Sequence, residues 1–481
     1  MAGPNPQLQA AITRFAAQPG VSLDQQAQLR AAIAQDTHLL RQLNQAAAND
    51  QLKGFALAQA GAPANLAGAY NIASGVVTLP VASFRPTGTA PGADLVAALR
   101  VQDMSLRYAH SSYVDAAGVS QPVTQDMLAN LQSTLNGSPV LAAEIKRAVM
   151  PPGPGQAAPV QHFASLSGTV AGGAYDPATR TTSLPPDSLA KPPAQFLSAD
   201  LTFTLGHEIQ HGFNVQSAER AKNNAYAQAE RIAKDNDPVN DYTAPIGAVL
   251  QAAREDEAKA QLAGWNALLS REQQKNPAAG LTEMMKLATA GHDRTLRVLD
   301  FVERNQAISG QAQARPGLTF NADGSLSMTA ANVAQMGQYY FDKPPVGAPG
   351  LTRQQTTGVG FHGDSDYPNF YGAYAVTNVI AIDRAYARAV NGVPPRMEID
   401  MGRLRLREDL LERNGITIRQ NPDTPQPYYE IGQSPPALHH FNHTHNPNHA
   451  NEHGAHRHVP IVPDLPPAPS RNRLHHNSGT L

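Results

Sequence analysis

The chain has 481 residues, 41% of them hydrophobic, which is enough to bury a sizeable core and to form two or three domains. A formal net charge of −2, with no basic run and no interleaved aromatic pattern, leaves no electrostatic footprint for nucleic acid or an anionic membrane surface. There is no cysteine, so disulfides, thiol catalysis and cysteine-held zinc are excluded, and any metal must be held by histidines and carboxylates.

The first thirty residues or so lack a basic start followed by an apolar core, and no apolar run is long enough to span a bilayer, so Sec export and a membrane span are not expected. Helices rich in Ala, Gln and Leu are predicted over about 7–59. A hairpin unit follows, in which Gly68-Ala69-Tyr70-Asn71 leads to Val76-Val77-Thr78-Leu79-Pro80 and Phe84. Helices at about 92–149 come next, and Met150-Pro151-Pro152-Gly153-Pro154-Gly155-Gln156 reads as a breaker cluster and a domain boundary.

Beyond that linker the hairpin pattern recurs. Gly173-Ala174-Tyr175-Asp176 runs into Thr181-Thr182-Ser183-Leu184-Pro185, and residues 68–84 match 173–189 at constant spacing, with Gly, Ala, Tyr, Ala, Leu, Pro and Ser repeated in place. Such in-register identity suggests an internal repeat, against the alternative of convergent turn chemistry. Each copy is followed by Ala-Asp-Leu, at Ala93-Asp94-Leu95 and at Ala199-Asp200-Leu201, and then by a helical run. The first run reads Val101-Gln102-Asp103-Met104-Ser105 and the second His207-Glu208-Ile209-Gln210-His211. Only the second copy carries metal ligands, so the first is expected to be non-catalytic.

On a helix, residues i and i+4 lie one above the other, so His207 and His211 can grip one zinc ion. Glu208, one step round, then reaches water at the metal as general base and hands the proton to a leaving amine. Asp200 and Thr202 are candidate N-caps of this helix, and Phe203, Ile209 and Phe213 its apolar anchors. A third ligand is expected from the proline-free stretch Gly247 to Gln274, where Glu257 shares a buried stripe with Gln261, Gly264, Trp265 and Leu268. Glu255 stands four before Lys259 and reads as a surface ion pair, the second choice as ligand. Gln261 would be the partner of Glu257. The metzincin extension is absent, since its Gly and His positions hold Asn214 and Ser217.

A HExxH helix followed, after an insertion, by a helix with a glutamate ligand resembles the gluzincin class of zinc metallopeptidases, over about residues 165–275. The resemblance implies an α+β, predominantly helical fold with a zincin-like catalytic lobe of two halves flanking a zinc cleft. It also implies a hairpin before the motif helix whose edge strand aligns a protein or peptide substrate; Gly173 to Pro185 stands at that place. Many members have an acidic residue where this chain has Gln261. The order of blocks, with Leu43-Asn44-Gln45-Ala46-Ala47-Ala48, the paired hairpins and Tyr367-Pro368-Asn369-Phe370-Tyr371-Gly372-Ala373-Tyr374, is similar to metallopeptidase-type effectors that xanthomonad-like bacteria export by type IV or type VI machinery. That likeness implies a bacterial cytoplasmic stage, then non-Sec delivery aided by a secretion-system adaptor, although the tail does not match the glutamine-rich delivery domain of such proteins.

Further along, Leu281 to Gln306 reads as an amphipathic helix containing His292, residues 307–360 as loop-rich, 373–391 as a helix, and Met397 to Leu411 as a short strand and helix. His362, Tyr371 and Tyr374 are candidate oxyanion donors, weighed against half-buried packing roles. Ten of the 17 histidines, at 439, 440, 443, 445, 449, 453, 456, 458, 475 and 476, lie in a tail rich in proline and asparagine. Its composition predicts a disordered arm over 432–481, with weak metal capture as a secondary role. The expected organisation is thus a helical region at 1–150 containing the first hairpin unit, a metallopeptidase domain at 160–430, and the tail. Zinc-dependent endopeptidase activity is the leading reading. A metal amidase acting on peptidoglycan and a non-enzymatic metal-binding or delivery protein working through the tail are the alternatives.

Overall fold

A computed structural model describes residues 3–59, 66–115, 117–166, 172–289, 293–360, 363–418 and 424–444. The chain opens with three helices, α1 (Pro6–Ala16), α2 (Leu23–Gln35) and α3 (Thr37–Ala48). Local chemistry starts each one: Asn5 accepts from the Leu8 amide ahead of Pro6, Ser22 and Gln25 form a capping box, and Asp36 closes α2 and caps α3. The helical run ends sooner than the composition suggests. Asp50 turns left-handed at φ 59°, and residues Gly54–Leu57 form strand β1.

Strand β1 lies parallel to β3 (Val76–Leu79), which pairs antiparallel with β2 (Ala69–Asn71). Helix α4 (Ala93–Ala109) follows, then the two-stranded ladder of β4 (Ser112–Val114) and β5 (Ser120–Pro122), and helices α5 (Gln125–Gly137) and α6 (Pro139–Ala148). The order then recurs: β6 (His162–Ser165) lies parallel to β8 (Thr181–Leu184), which pairs antiparallel with β7 (Ala174–Asp176). Registers agree as well, with Tyr70 opposite Val77 in one sheet and Tyr175 opposite Thr182 in the other. Even a side-chain bond is repeated, since the Tyr70 hydroxyl donates to the Gln51 carbonyl and the Tyr175 hydroxyl to the Pro159 carbonyl, each at 2.6 Å. The identity between the two segments therefore extends beyond turn residues to a third, parallel strand contributed from upstream of each hairpin.

After the short helix α7 (Pro186–Leu189) come the two longest helices, α8 (Ser198–Lys234) and α9 (Thr243–Lys275), with strand β9 (Val239–Asp241) between them. Helix α10 (Leu281–Thr289) stops well short of residue 306, and β10 (Val302–Arg304) pairs antiparallel with β11 (Ala312–Ala314). The residues after the described end of α10 make other bonds, Asp293 accepting from the start of α8 and Thr295 returning its amide to the Leu287 carbonyl of α10. Helices α11 (Ala330–Tyr339) and α12 (Tyr367–Tyr386) follow. Helix α12 begins six positions ahead of the expected 373, because Asp366 caps it and Pro368 suits its first turn. Strand β12 (Arg396–Ile399) and helices α13 (Met401–Leu404) and α14 (Glu408–Asn414) lead to β13 (Gln426–Glu430) and β14 (Ala437–Phe441).

The chain divides into two compact units. One comprises Met1–Gly168, Gly172–Phe213 and Ala260–Met328, and holds both repeated sheets. Within it the Ser138 hydroxyl donates to the Ala267 carbonyl at 2.7 Å, and Asn130 donates to the carbonyls of Leu189 and Lys191, so α5 and α6 are tied to elements beyond residue 156. The other comprises Thr169–Ala171, Asn214–Lys259 and Thr329–Leu481, and contains a four-stranded sheet in the order β14-β13-β12-β9. Strand β14 corrects the expectation of a disordered arm from 432: Ala437–Phe441 pair in full with β13, and Phe441 is buried and stacked on Tyr428. The histidines from 445 onward lie outside the described residues. The fold is α+β and predominantly helical. Among the described residues no helix is long and apolar enough to cross a membrane.

Candidate metal centre

Helix α8 carries the HExxH residues, and its start is held from afar. The Ala199 amide donates to Asp293 Oδ1 at 2.8 Å, so the expected caps are replaced by a carboxylate 94 positions on. Asp200 instead accepts from Arg297 and Thr295, and the Thr202 hydroxyl donates to the Ser198 carbonyl. Close to the motif, α8 crosses α9 on two glycines. A Cβ on Gly206 would meet the Ala267 Cβ at 2.8 Å, and one on Gly264 would meet the Phe203 ring at 2.7 Å. Phe203 and Ile209 are buried as anchors; the Phe213 ring lies under the Arg147 guanidinium, 4.0 Å from its centroid.

One turn apart, His207 and His211 are 0% and 2% exposed, and their Nε2 atoms are 3.0 Å apart. Nitrogens sharing a tetrahedral zinc at about 2.05 Å would be about 3.3 Å apart. Glu257 on α9 is fully buried, and a ligand atom from each of the three residues lies within 4.8 Å of the other two. Glu255 is exposed, pairs with Lys259 at 3.8 Å and accepts from Gln251, which leaves it on the helix surface. Two imidazoles and one carboxylate are the donor set of a catalytic zinc with a fourth position left for water or substrate. The residues present therefore fit the ion, by their chemistry, burial and mutual distance.

Glu208 is fully buried and sits against the hairpin. A Cβ on Gly173 would come within 2.5 Å of Thr204 Cγ2 and 3.2 Å of Glu208 Cγ, so only glycine lets the backbone next to β7 approach the carboxylate. The first copy also sets its hairpin glycine beside the helix, with a different backbone conformation and different chemistry. There Gly68 has a left-handed φ of 86°, a Cβ on it would meet the Thr78 carbonyl oxygen at 2.7 Å and Gln102 at 3.1 Å, and the Gln102 amide donates to the Ala67 carbonyl at 2.7 Å. Gln102 thus stands where Glu208 stands in the second copy. The positions matching the two histidines hold Val101 and Ser105, joined by a hydrogen bond from the Ser105 hydroxyl to the Val101 carbonyl.

Tyr371, on α12, donates its hydroxyl proton to Glu257 Oε1 at 2.8 Å. Burial first, and then the adjacent Glu257 carboxylate, push this phenol well above its usual range, so it stays a donor. Tyr374 is half-buried, with its ring edge-on to Phe370. His292 and His362 lie outside the described residues. Gln261, one turn after Glu257, is 1% exposed, and its Oε1 has no hydrogen-bond partner among the described residues. The Tyr371–Glu257 bond had no signal in the sequence, since 114 positions separate the partners. Neither did the steric role of Gly173, although its repetition as Gly68 marked the position.

Comparison of the chain with protein-family models, with curated proteins and with solved structures gives no match.

Proposed function

We propose that the chain is a zinc-dependent hydrolase that cleaves peptide bonds within a protein or peptide substrate. The observation that supports this most is the buried His207, His211 and Glu257 group, with Glu208 next to His207 on the same helix. Zinc bound there would supply Lewis acidity, polarising a scissile carbonyl and acidifying water at the site. His207 and His211 would each give an Nε2, and Glu257 a carboxylate oxygen. Glu208 would take a proton from the attacking water on its carboxylate and return it to the departing amine nitrogen. Burial of all four side chains strengthens each of these charge interactions by excluding bulk solvent.

The test compares zinc content and cleavage of a general protein substrate for the full chain, Glu208→Gln and His207→Ala. One zinc per chain in the first two, with cleavage in the wild type alone, and neither property in His207→Ala, is the expected result. Undiminished cleavage by Glu208→Gln would rule out this reading, as would zinc content that depends on residues 445–481 and not on His207.

A further inference from the structure

We propose that Tyr371 is a positioning residue for the metal centre, which orients Glu257 so that its carboxylate gives the metal a single oxygen. The proposal rests on the zinc reading above and extends it to the group that holds the third ligand.

A carboxylate beside a metal can bind through one oxygen or both, and rotation about its last bond interchanges the two modes. Tyr371 restrains that rotation by donating to Oε1 at 2.8 Å. The phenol itself has little freedom. Its ring stacks on Phe341 at 5.8 Å and on Tyr367 at 6.3 Å, and Phe370 meets it edge-on at 5.3 Å. Tyr371 is 8% exposed, so water does not compete strongly for the bond. Partners of this kind fix the orientation of a metal ligand and raise its affinity for the ion. A tyrosine hydroxyl can donate one hydrogen bond, and here Glu257 accepts it. This argues against Tyr371 as the donor to a developing oxyanion.

The experiment measures zinc affinity by competition with a chromophoric chelator, together with the visible absorption of the cobalt(II)-substituted protein. Wild type, Tyr371→Phe and Tyr367→Phe are compared. Tyr367 is the control because it lies in the same helix, is 1% exposed, and bonds to the Tyr340 hydroxyl. Tyr371→Phe should bind zinc about 10- to 100-fold more weakly. Its cobalt bands should also weaken as a freed carboxylate adds a second oxygen, while Tyr367→Phe leaves both readouts at wild-type values. An unchanged affinity and spectrum for Tyr371→Phe would overturn the proposal, and so would an equal loss in Tyr367→Phe, which would assign the effect to the loss of any buried hydroxyl in this aromatic cluster. A wild type that binds no zinc would sink the metal-centre reading and this proposal together. Zinc binding by the wild type with an unaltered Tyr371→Phe would sink the proposal alone.

Discussion

Glycine 173 sets how close the backbone beside β7 can come to Glu208, and it does so by lacking a side chain. Alanine there would put its Cβ 2.5 Å from Thr204 Cγ2, closer than two carbons can pack, so the strand or the helix has to move. Gly173→Ala is expected to cost about 1–3 kcal/mol of stability, as overpacking generally does, and to reduce cleavage while zinc content stays at one per chain. Pairing it with Thr204→Ser, which removes the obstructing methyl, should recover much of the loss. Equal melting temperature and activity for Gly173→Ala and wild type would show that the approach is not needed. At this scale the spacing of His207, Glu208 and His211 was legible because an i, i+4 pair is settled by helix geometry alone. That Glu257, and not Glu255, lies buried beside the two histidines was legible from the apolar stripe that Glu257 shares with Trp265 and Leu268. The Tyr371 contact was not, since a bond between residues 257 and 371 exists only once the chain has folded.

Among the elements, helix starts followed the sequence where the cap was local, as at Asn5, Ser22, Asp36 and Asp366. They departed from it where the cap was remote, as at α8, whose first turn is held by Asp293. The link between α12 and β9 carries a measurable consequence. Asp383 on α12 is buried and accepts from the Tyr242 hydroxyl at 2.7 Å and the Asn240 amide at 2.9 Å. Burial raises its pKa above the usual aspartate value, and the hydrogen bonds from Tyr242 and Asn240 only partly oppose this. Because folding favours the protonated form, this group costs no stability below the ordinary aspartate value. Stability then falls as pH rises through the window up to the raised folded value, and the cost is complete above it. Asp383→Asn keeps an acceptor oxygen but does not titrate, so the difference in unfolding free energy between variant and wild type should shift in the variant's favour as pH rises through that window. Parallel stability–pH curves from urea unfolding would refute the assignment.

Across the whole chain, the histidine-rich end shows how composition can hide an element. Ala437, His439 and Phe441 alternate with more exposed neighbours, yet the surrounding prolines and histidines suggest an unstructured arm. Pairing with β13 and burial of Phe441 against Tyr428 make the segment part of a sheet, and Thr444 adds bonds to Ile416. A chain ending at residue 444 should therefore unfold like the full protein, whereas one ending at 436 should lose at least about 3 kcal/mol, the scale of removing a buried aromatic. Similar urea midpoints for the two truncations would contradict this. The repeat was legible as a sentence of turn residues, but its parallel third strand was not, because β1 and β6 come from beyond the matching segments. The sequence by itself determined what is periodic or local: the helix bearing two histidines one turn apart, the glutamate on an apolar stripe, the hairpins, the absence of cysteine. Tertiary structure alone decided which distant groups meet them, namely Tyr371 on Glu257, Asp293 on the first turn of α8 and Gly173 against Glu208. The physical reason is that periodicity specifies which face of an element is buried, while the partner on that face is selected by packing among residues tens of positions apart.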